Sequence, residues 1–267
     1  MGAYVGVDLA IDGVNTARGW KISQTSNSQG YNASNTQQGT GRACGNVDWI
    51  GQYWCYGHTP AYFPGDTFTF QAVTDQGAGL QGAAIIERVR IFWNIAKGDY
   101  IAHVVDFARN GALTFTATAT DVTQPGGYVK CSEGTKFTYG GTELQEIEEM
   151  MLDIRCANRP RVTSSTSGGA LRARGNLDAA WSVKSIEHDP SAYPVINALW
   201  DLKFYVDATT YWTVNWGKVT ASPNDYGGNH ETLEYIGGTV EGKFSGHSAT
   251  STGAIITPAG TTKWPYP

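Results

Sequence analysis

Cysteine is sparse in this chain, basic clusters are missing, and no apolar run is long enough to cross a membrane as a helix. Four cysteines, Cys44, Cys55, Cys131 and Cys156, are spread unevenly over 267 residues. That spacing argues against a disulfide framework and for reduced, half-buried thiols; a Cys44–Cys55 bridge across one strand pair is the alternative. A membrane span needs about 18–20 consecutive apolar residues, and the sequence has no such stretch. The opening MGAYVGVDLAIDG has no basic n-region followed by an apolar h-region, so no secretory signal is predicted. Lys and Arg total 19 against 24 Asp and Glu, a net charge of −5. An acidic chain without a basic patch is poorly suited to gripping nucleic acid, where affinity comes mainly from phosphate neutralisation.

The usual signatures of chemistry are also missing. There is no G-x-S-x-G, C-x-x-C, H-E-x-x-H or EF-hand loop, which removes the most specific pointers to nucleophilic or metal-assisted reactions. Ser245 and His247 in FSGHS read as turn residues, and His58 and His188, each in an H-x-P turn, read as structural. GVDLAIDG (6–13) lacks the dense oxygen spacing of a calcium loop. The densest charge run, Glu143, Glu146, Glu148, Glu149 and Asp153, reads as a solvated acidic patch rather than a paired-carboxylate site. No catalytic, metal or cofactor-binding residue is assigned, and the chain is not expected to be an enzyme.

What the sequence does have is glycine, aromatics and threonine in strand-like runs. FTFQAV (68–73) and LTFTAT (113–118) alternate apolar and polar residues, as half-buried strands do. AAIIERVRIFW (83–93) is β-branched and aromatic, with Glu87, Arg88 and Arg90 interrupting its apolar positions. Turn signals punctuate these runs at Pro64-Gly65-Asp66, Lys97-Gly98-Asp99, Asn110-Gly111, Gly140-Gly141, Gly227-Gly228 and Gly237-Gly238. Short strands with turns between them predict a mainly all-β sandwich or barrel.

One phrase occurs twice. RACGNVD (42–48) returns as RARGNLD (172–178), an offset of 130 that also brings His58 and Pro60 onto His188 and Pro190. With some drift, FTFQAV answers LKFYVD (202–207), RIFWNI (90–95) answers TVNWGK (213–218), and GDYIAHVVDFARNG (98–111) answers NDYGGNHETLEYIGG (224–238). Matches this widespread predict duplication of a whole domain, with residues 1–125 as the first copy and 126–267 as the second. TELQEIEEMMLDI (142–154) has helix formers throughout and a capping threonine. The repeat nevertheless sets it against VNTARGWKIS (14–23), and this favours an extended strand. A short helix is expected from Asp189, where Pro190 suits the first turn. Two polar segments at matching places, 23–41 and 157–169, should be projecting loops with a shared purpose. The arginines and aspartates of the repeated phrase are expected to set loop geometry or a repeated interface. The irregular tail, with Trp264 and Tyr266, should dock on something.

The order of these features resembles the major tail tube proteins of long-tailed bacteriophages. The resemblance rests on D-G-V (12–14), the strand GWKIS (19–23) followed by a long polar loop, and the G-x-x-D-W-x-G-x-Y strand (45–53). GAAIIERVRIFWNI and GDYIAHVVDFARNGAL complete it. It covers residues 4 to about 118 well, and 130 to about 246 through the repeat. It implies two tandem tail-tube-like β domains, each with at most one short helix, in a protein of the virion's tail that lies in the host cytoplasm before assembly. Stacked rings of this protein would form the conduit for DNA ejection. With two domains per chain, a homotrimer would give a pseudo-hexameric ring, a heterologous closure. Implied partners are the tape-measure protein and other tail proteins; genomic DNA would pass a mildly negative lumen unbound, and no membrane is involved. The second copy lacks G-x-Y after Asp178, which keeps the distal tail and terminator proteins as alternatives. Outside that class stands a non-catalytic β-sandwich module binding glycans or a host surface.

Overall fold

The computed structural model describes residues 2–6, 8–11, 14–15, 17–26, 29–31, 41–43, 47–57, 62–74, 78–116, 131, 135–144, 147–161, 171–185, 199–206, 211–221, 224–227, 230–239 and 256–259. Among them the chain is all-β, with no helix. The first half supplies β1 (Gly2–Gly6), β2 (Asp8–Ile11), β3 (Val14–Asn15), β4 (Gly19–Ser26) and β5 (Gln29–Tyr31). It continues with β6 (Gly41–Ala43), β7 (Val47–Tyr56), β8 (Thr67–Val73), β9 (Gly79–Asn94) and β10 (Ala102–Thr116). The second half supplies β11 (Phe137–Tyr139), β12 (Thr142–Leu144), β13 (Ile147–Cys156), β14 (Arg159–Arg161) and β15 (Leu171–Ala173). Then come β16 (Leu177–Ser185), β17 (Leu199–Tyr205), β18 (Tyr211–Ala221), β19 (Asn224–Gly227), β20 (His230–Thr239) and β21 (Ile256–Ala259).

Side-chain alternation explains the strands. In β8, Phe68, Phe70 and Ala72 are buried while Thr67, Thr69 and Gln71 face solvent. In β16, Leu177, Ala179, Trp181 and Val183 are buried. The segment with strong helix propensity, 142–154, forms β12 and β13. Its even positions Met150, Leu152 and Ile154 enter the core, and strands pair with β13 on both sides, so tertiary pairing overrides local preference. Gly65, Gly98, Gly140 and Gly141 have positive φ, which matches their placement at predicted turns. Asn110-Gly111 and Gly237-Gly238 correct the expectation: both lie inside strands. The first sits where the β9–β10 register shifts between Arg109 and Leu113, a bulge rather than a strand end. The helix expected from Asp189 and the docking of Trp264 and Tyr266 fall outside the described residues.

One pairing scheme appears twice. Gly19 stands opposite Trp54 in β4–β7, and 130 residues on, Glu149 stands opposite Lys184 in β13–β16. Ile50 opposite Ala108 becomes Ala180 opposite Gly238 at the same shift. A two-stranded sheet pairs each polar segment with the residues just after it, β5–β6 and β14–β15, again 130 apart. For β8–β9 against β17–β18 the shift is 132, since Phe70 opposite Gly82 becomes Leu202 opposite Val214. The sequence match of 68–73 to 202–207 is therefore two residues out of register. Further along the shift is 133, since Asp106 opposite Arg88 becomes Ile236 opposite Ala221. The match of 90–95 to 213–218 is therefore ten out, because similarity of apolar runs does not report which residues pair.

The halves are not separate sheets. The end of β9 pairs antiparallel with β13, Asn94 opposite Glu149 through Arg88 opposite Arg155, and joins both halves into one hydrogen-bonded network. The buried core is continuous across this seam. Trp93 of β9 stacks on Phe204 of β17 at 6.1 Å, and Phe204 meets Phe137 at 5.0 Å.

Candidate functional site

Among the described residues, those singled out for chemistry do not converge. His58, His188, Ser245 and His247 lie outside the described residues, as does Glu146. Cys55, Cys131 and Cys156 are thiols, and burial pushes the Cys55 thiol up to about 12, so it carries no nucleophilic thiolate at neutral pH. Among the described residues no group of three or more His, Cys, Asp or Glu is placed to hold a metal ion. The acidic run is divided by strand alternation. Glu143 pairs with Lys136 at 2.9 Å and Glu148 with Lys184 at 3.0 Å. Asp153 corrects the reading of a solvated patch: only 1% of its side chain is exposed, because it lies at the seam under two arginines.

The concentration of buried charge is at that seam. Arg88 of β9 grips Asp153 of β13 with two bonds, Nε to Oδ1 at 2.7 Å and Nη2 to Oδ2 at 2.5 Å. Arg155 donates to Oδ2 from Nε at 3.0 Å. One strand further in, Arg90 bonds Asp106 at 3.1 Å, and Gln52 of β7 donates to the same carboxylate at 2.6 Å. An open groove of about 370 Å³ runs along this row, lined by Glu87, Arg88, Asp106, Arg155, Asn176 and Asp178 among others. Strand order alone places these groups, since β7, β10, β9 and β13 are consecutive neighbours.

Burial alone would raise the Asp153 carboxyl, but the bonds and charges of Arg88 and Arg155 outweigh it and hold the group below its ordinary value. A folded value below the unfolded one stabilises the fold fully above the ordinary Asp range of about pH 3.9. That stabilisation is lost as pH falls through the folded value. Asp153→Asn is therefore expected to flatten the acid limb of the stability curve below about pH 4, measured by denaturant melts at successive pH values. An acid limb of unchanged slope would contradict this role.

The repeated phrase supplies the second half of the seam. Arg172 of β15 is 8% exposed and reaches from the second half onto the first. Its Nη1 and Nη2 bond Asp48 Oδ1 and Oδ2 at 3.1 and 2.9 Å. Nε meets Glu87 Oε1 at 3.1 Å and Nη1 also donates to the Arg109 carbonyl at 3.2 Å. Such a fork-to-carboxylate bond fixes orientation as well as adding energy. Asp48 is itself aimed by the Trp49 amide, which donates to Oδ1 at 2.9 Å. Glu87 is raised by burial, an effect that Arg172 opposes. Asn158 donates to the Ile86 carbonyl at 2.9 Å, and Arg174 lies 3.8 Å from Asp66.

The expectation of a repeated interface thus takes a specific form: the arginine of one copy bonds the aspartate of the other. Sequence spacing did not contain that crossing, although the charges interrupting the apolar run of β9 marked the strand that carries it. What this arrangement can do is hold two like units edge to edge. No protein-family model matches the chain, and no curated protein matches it either.

Proposed function

We propose that this chain is a structural virion protein whose copies join head to tail into stacked rings, the inner tube of a phage tail that conducts DNA. The observation that carries the reading is the β9–β13 seam. It joins two halves of like pairing scheme through unlike edges, and a heterologous contact of this kind propagates or closes into a ring. Six such halves, from three chains, would close a pseudo-hexameric ring. The sheet row at the seam pairs arginines with aspartates, which leaves little net positive charge to hold passing DNA. A tape-measure protein inside the tube and other tail proteins at its ends are the expected partners, and distal tail or terminator roles use the same logic.

A second reading has its own observation. Trp54, Tyr56 and Tyr100 are exposed, Tyr56 and Tyr100 lie 5.4 Å apart, and Arg18 sits over Tyr56 at 5.5 Å; flat rings in such a cluster suit a glycan-binding module. Negative-stain microscopy of the purified chain separates the two. Rings or tubes with a central channel are expected, whereas a strictly monomeric protein retained by polysaccharide would favour the second reading.

A further inference from the structure

We infer that the contact between copies reproduces the internal seam, keyed by an ion pair between Arg42 of one chain and Asp178 of the next; this rests on the ring-forming reading above. Four side-chain ion pairs cross between the halves among the described residues: Arg88–Asp153, Arg172–Asp48, Arg172–Glu87 and Arg174–Asp66. Shifted by the offsets of their strands, three lose a partner. Ala221 and Ser23 stand where Arg88 and Asp153 would recur, Thr220 where Glu87 would, and Cys44 where Arg174 would. Only the Arg172–Asp48 pair has both members repeated, as Arg42 and Asp178. A bond serving one seam need be written once; this one is written twice.

The repeated groups stand in equivalent places. Arg42 lies in β6, 130 residues before Arg172 in β15, and the β5–β6 and β14–β15 registers correspond at that shift. Asp178 Oδ1 accepts the Ala179 amide at 2.8 Å, the same pose in which the Trp49 amide holds Asp48. Each chain therefore carries the repeated arginine position in β6 and, in β16, an aspartate held by the next residue's amide, the two positions a head-to-tail contact would bring together.

The sheet edges agree. In the second half, β9 covers the edge of β13 from Glu149 to Arg155. The equivalent edge of β4 carries β1 instead, five residues from Gly2 opposite Gln24 to Gly6 opposite Trp20. The counterpart of the β9 end is the end of β18 with β19, which pairs on one side with β20. No strand lies on its other side among the described residues. A second copy would bring that edge to β4 and take the place of β1, a strand addition in which main-chain bonds supply affinity and the Arg42–Asp178 pair sets register. Until then β1 keeps an aggregation-prone edge covered.

The test is a charge swap read by light scattering and negative-stain microscopy, with thermal melts confirming that each variant folds. Arg42→Asp and Asp178→Arg should each raise the concentration needed for assembly by roughly tenfold or more, and the double variant should recover most of that loss. Deuterium exchange should show the Val5 amide losing protection on assembly while Trp20 to Gln24 stay protected. Wild-type chains that form rings alongside single variants that assemble equally well would overturn this inference and leave the tube reading intact. A double variant no better than the singles would overturn it in the same way, and unchanged protection of β1 would overturn the strand exchange. Wild-type chains that never assemble would overturn both.

Discussion

Trp93→Ala is expected to cost about 3–5 kcal/mol of stability and to loosen the second half of the chain more than the first. Trp93 belongs by sequence to the first half, yet its indole, 1% exposed, stacks on Phe204 of the second. Phe204 in turn packs against Phe137 at 5.0 Å and Trp181 at 6.2 Å. Removing the indole leaves a hole bounded by rings held in hydrogen-bonded strands, which can collapse only partly. Denaturant melts followed by near-ultraviolet circular dichroism would measure the loss. Amide exchange should place the largest increase in β11, β16 and β17. A cost under about 1 kcal/mol, or an increase confined to β4 and β7, would show that the seam is not part of the second half's core.

Reversing Arg172 to Glu should cost a comparable amount, about 3–5 kcal/mol, because it removes the shared counter-charge of a buried site and adds a third carboxylate. Asp48 and Glu87 are each roughly one-third exposed, against 8% for the arginine, so neither is solvated enough to ignore the loss. Arg172→Lys keeps the charge but not the fork and is expected to cost about 1 kcal/mol, while Arg172→Ala should fall between them. The paired reversal of Arg172 and Asp48 should recover only part of the loss, since Glu87 stays without its cation. Equal melts for the Lys and Glu variants would mean that the guanidinium acts by packing alone. The contrast with Arg42 is useful: substitution at Arg172 should lower monomer stability, and substitution at Arg42 should lower assembly.

Much of the fold was legible because strand alternation is local. β8 reads directly from TFTFQAV, and its buried phenylalanines fall where the pattern puts them. β13 was legible only through the repeat, since its own composition favours a helix and its neighbours β9 and β16 decide otherwise. Register was legible where polar residues anchor the match, as in the RA-x-GN-x-D phrase. It slipped where apolar runs resemble one another whatever their pairing, as with 90–95 against 213–218. The seam was the least legible part. Arg88 finds its partner 65 residues away and Arg172 finds Asp48 124 away, distances over which the chain gives no signal until the sheet order is known. Asp153 looked like its acidic neighbours because a run of acids does not show which member faces inward.

Counting the chains in one assembled ring tests the account most directly. If two like halves per chain meet neighbours through one repeated seam, rings released from short tubes should contain three chains by native mass spectrometry. Their end-on views should show six lobes that alternate in shape. Rings of six chains, or a chain that stays monomeric at every concentration tried, would contradict it.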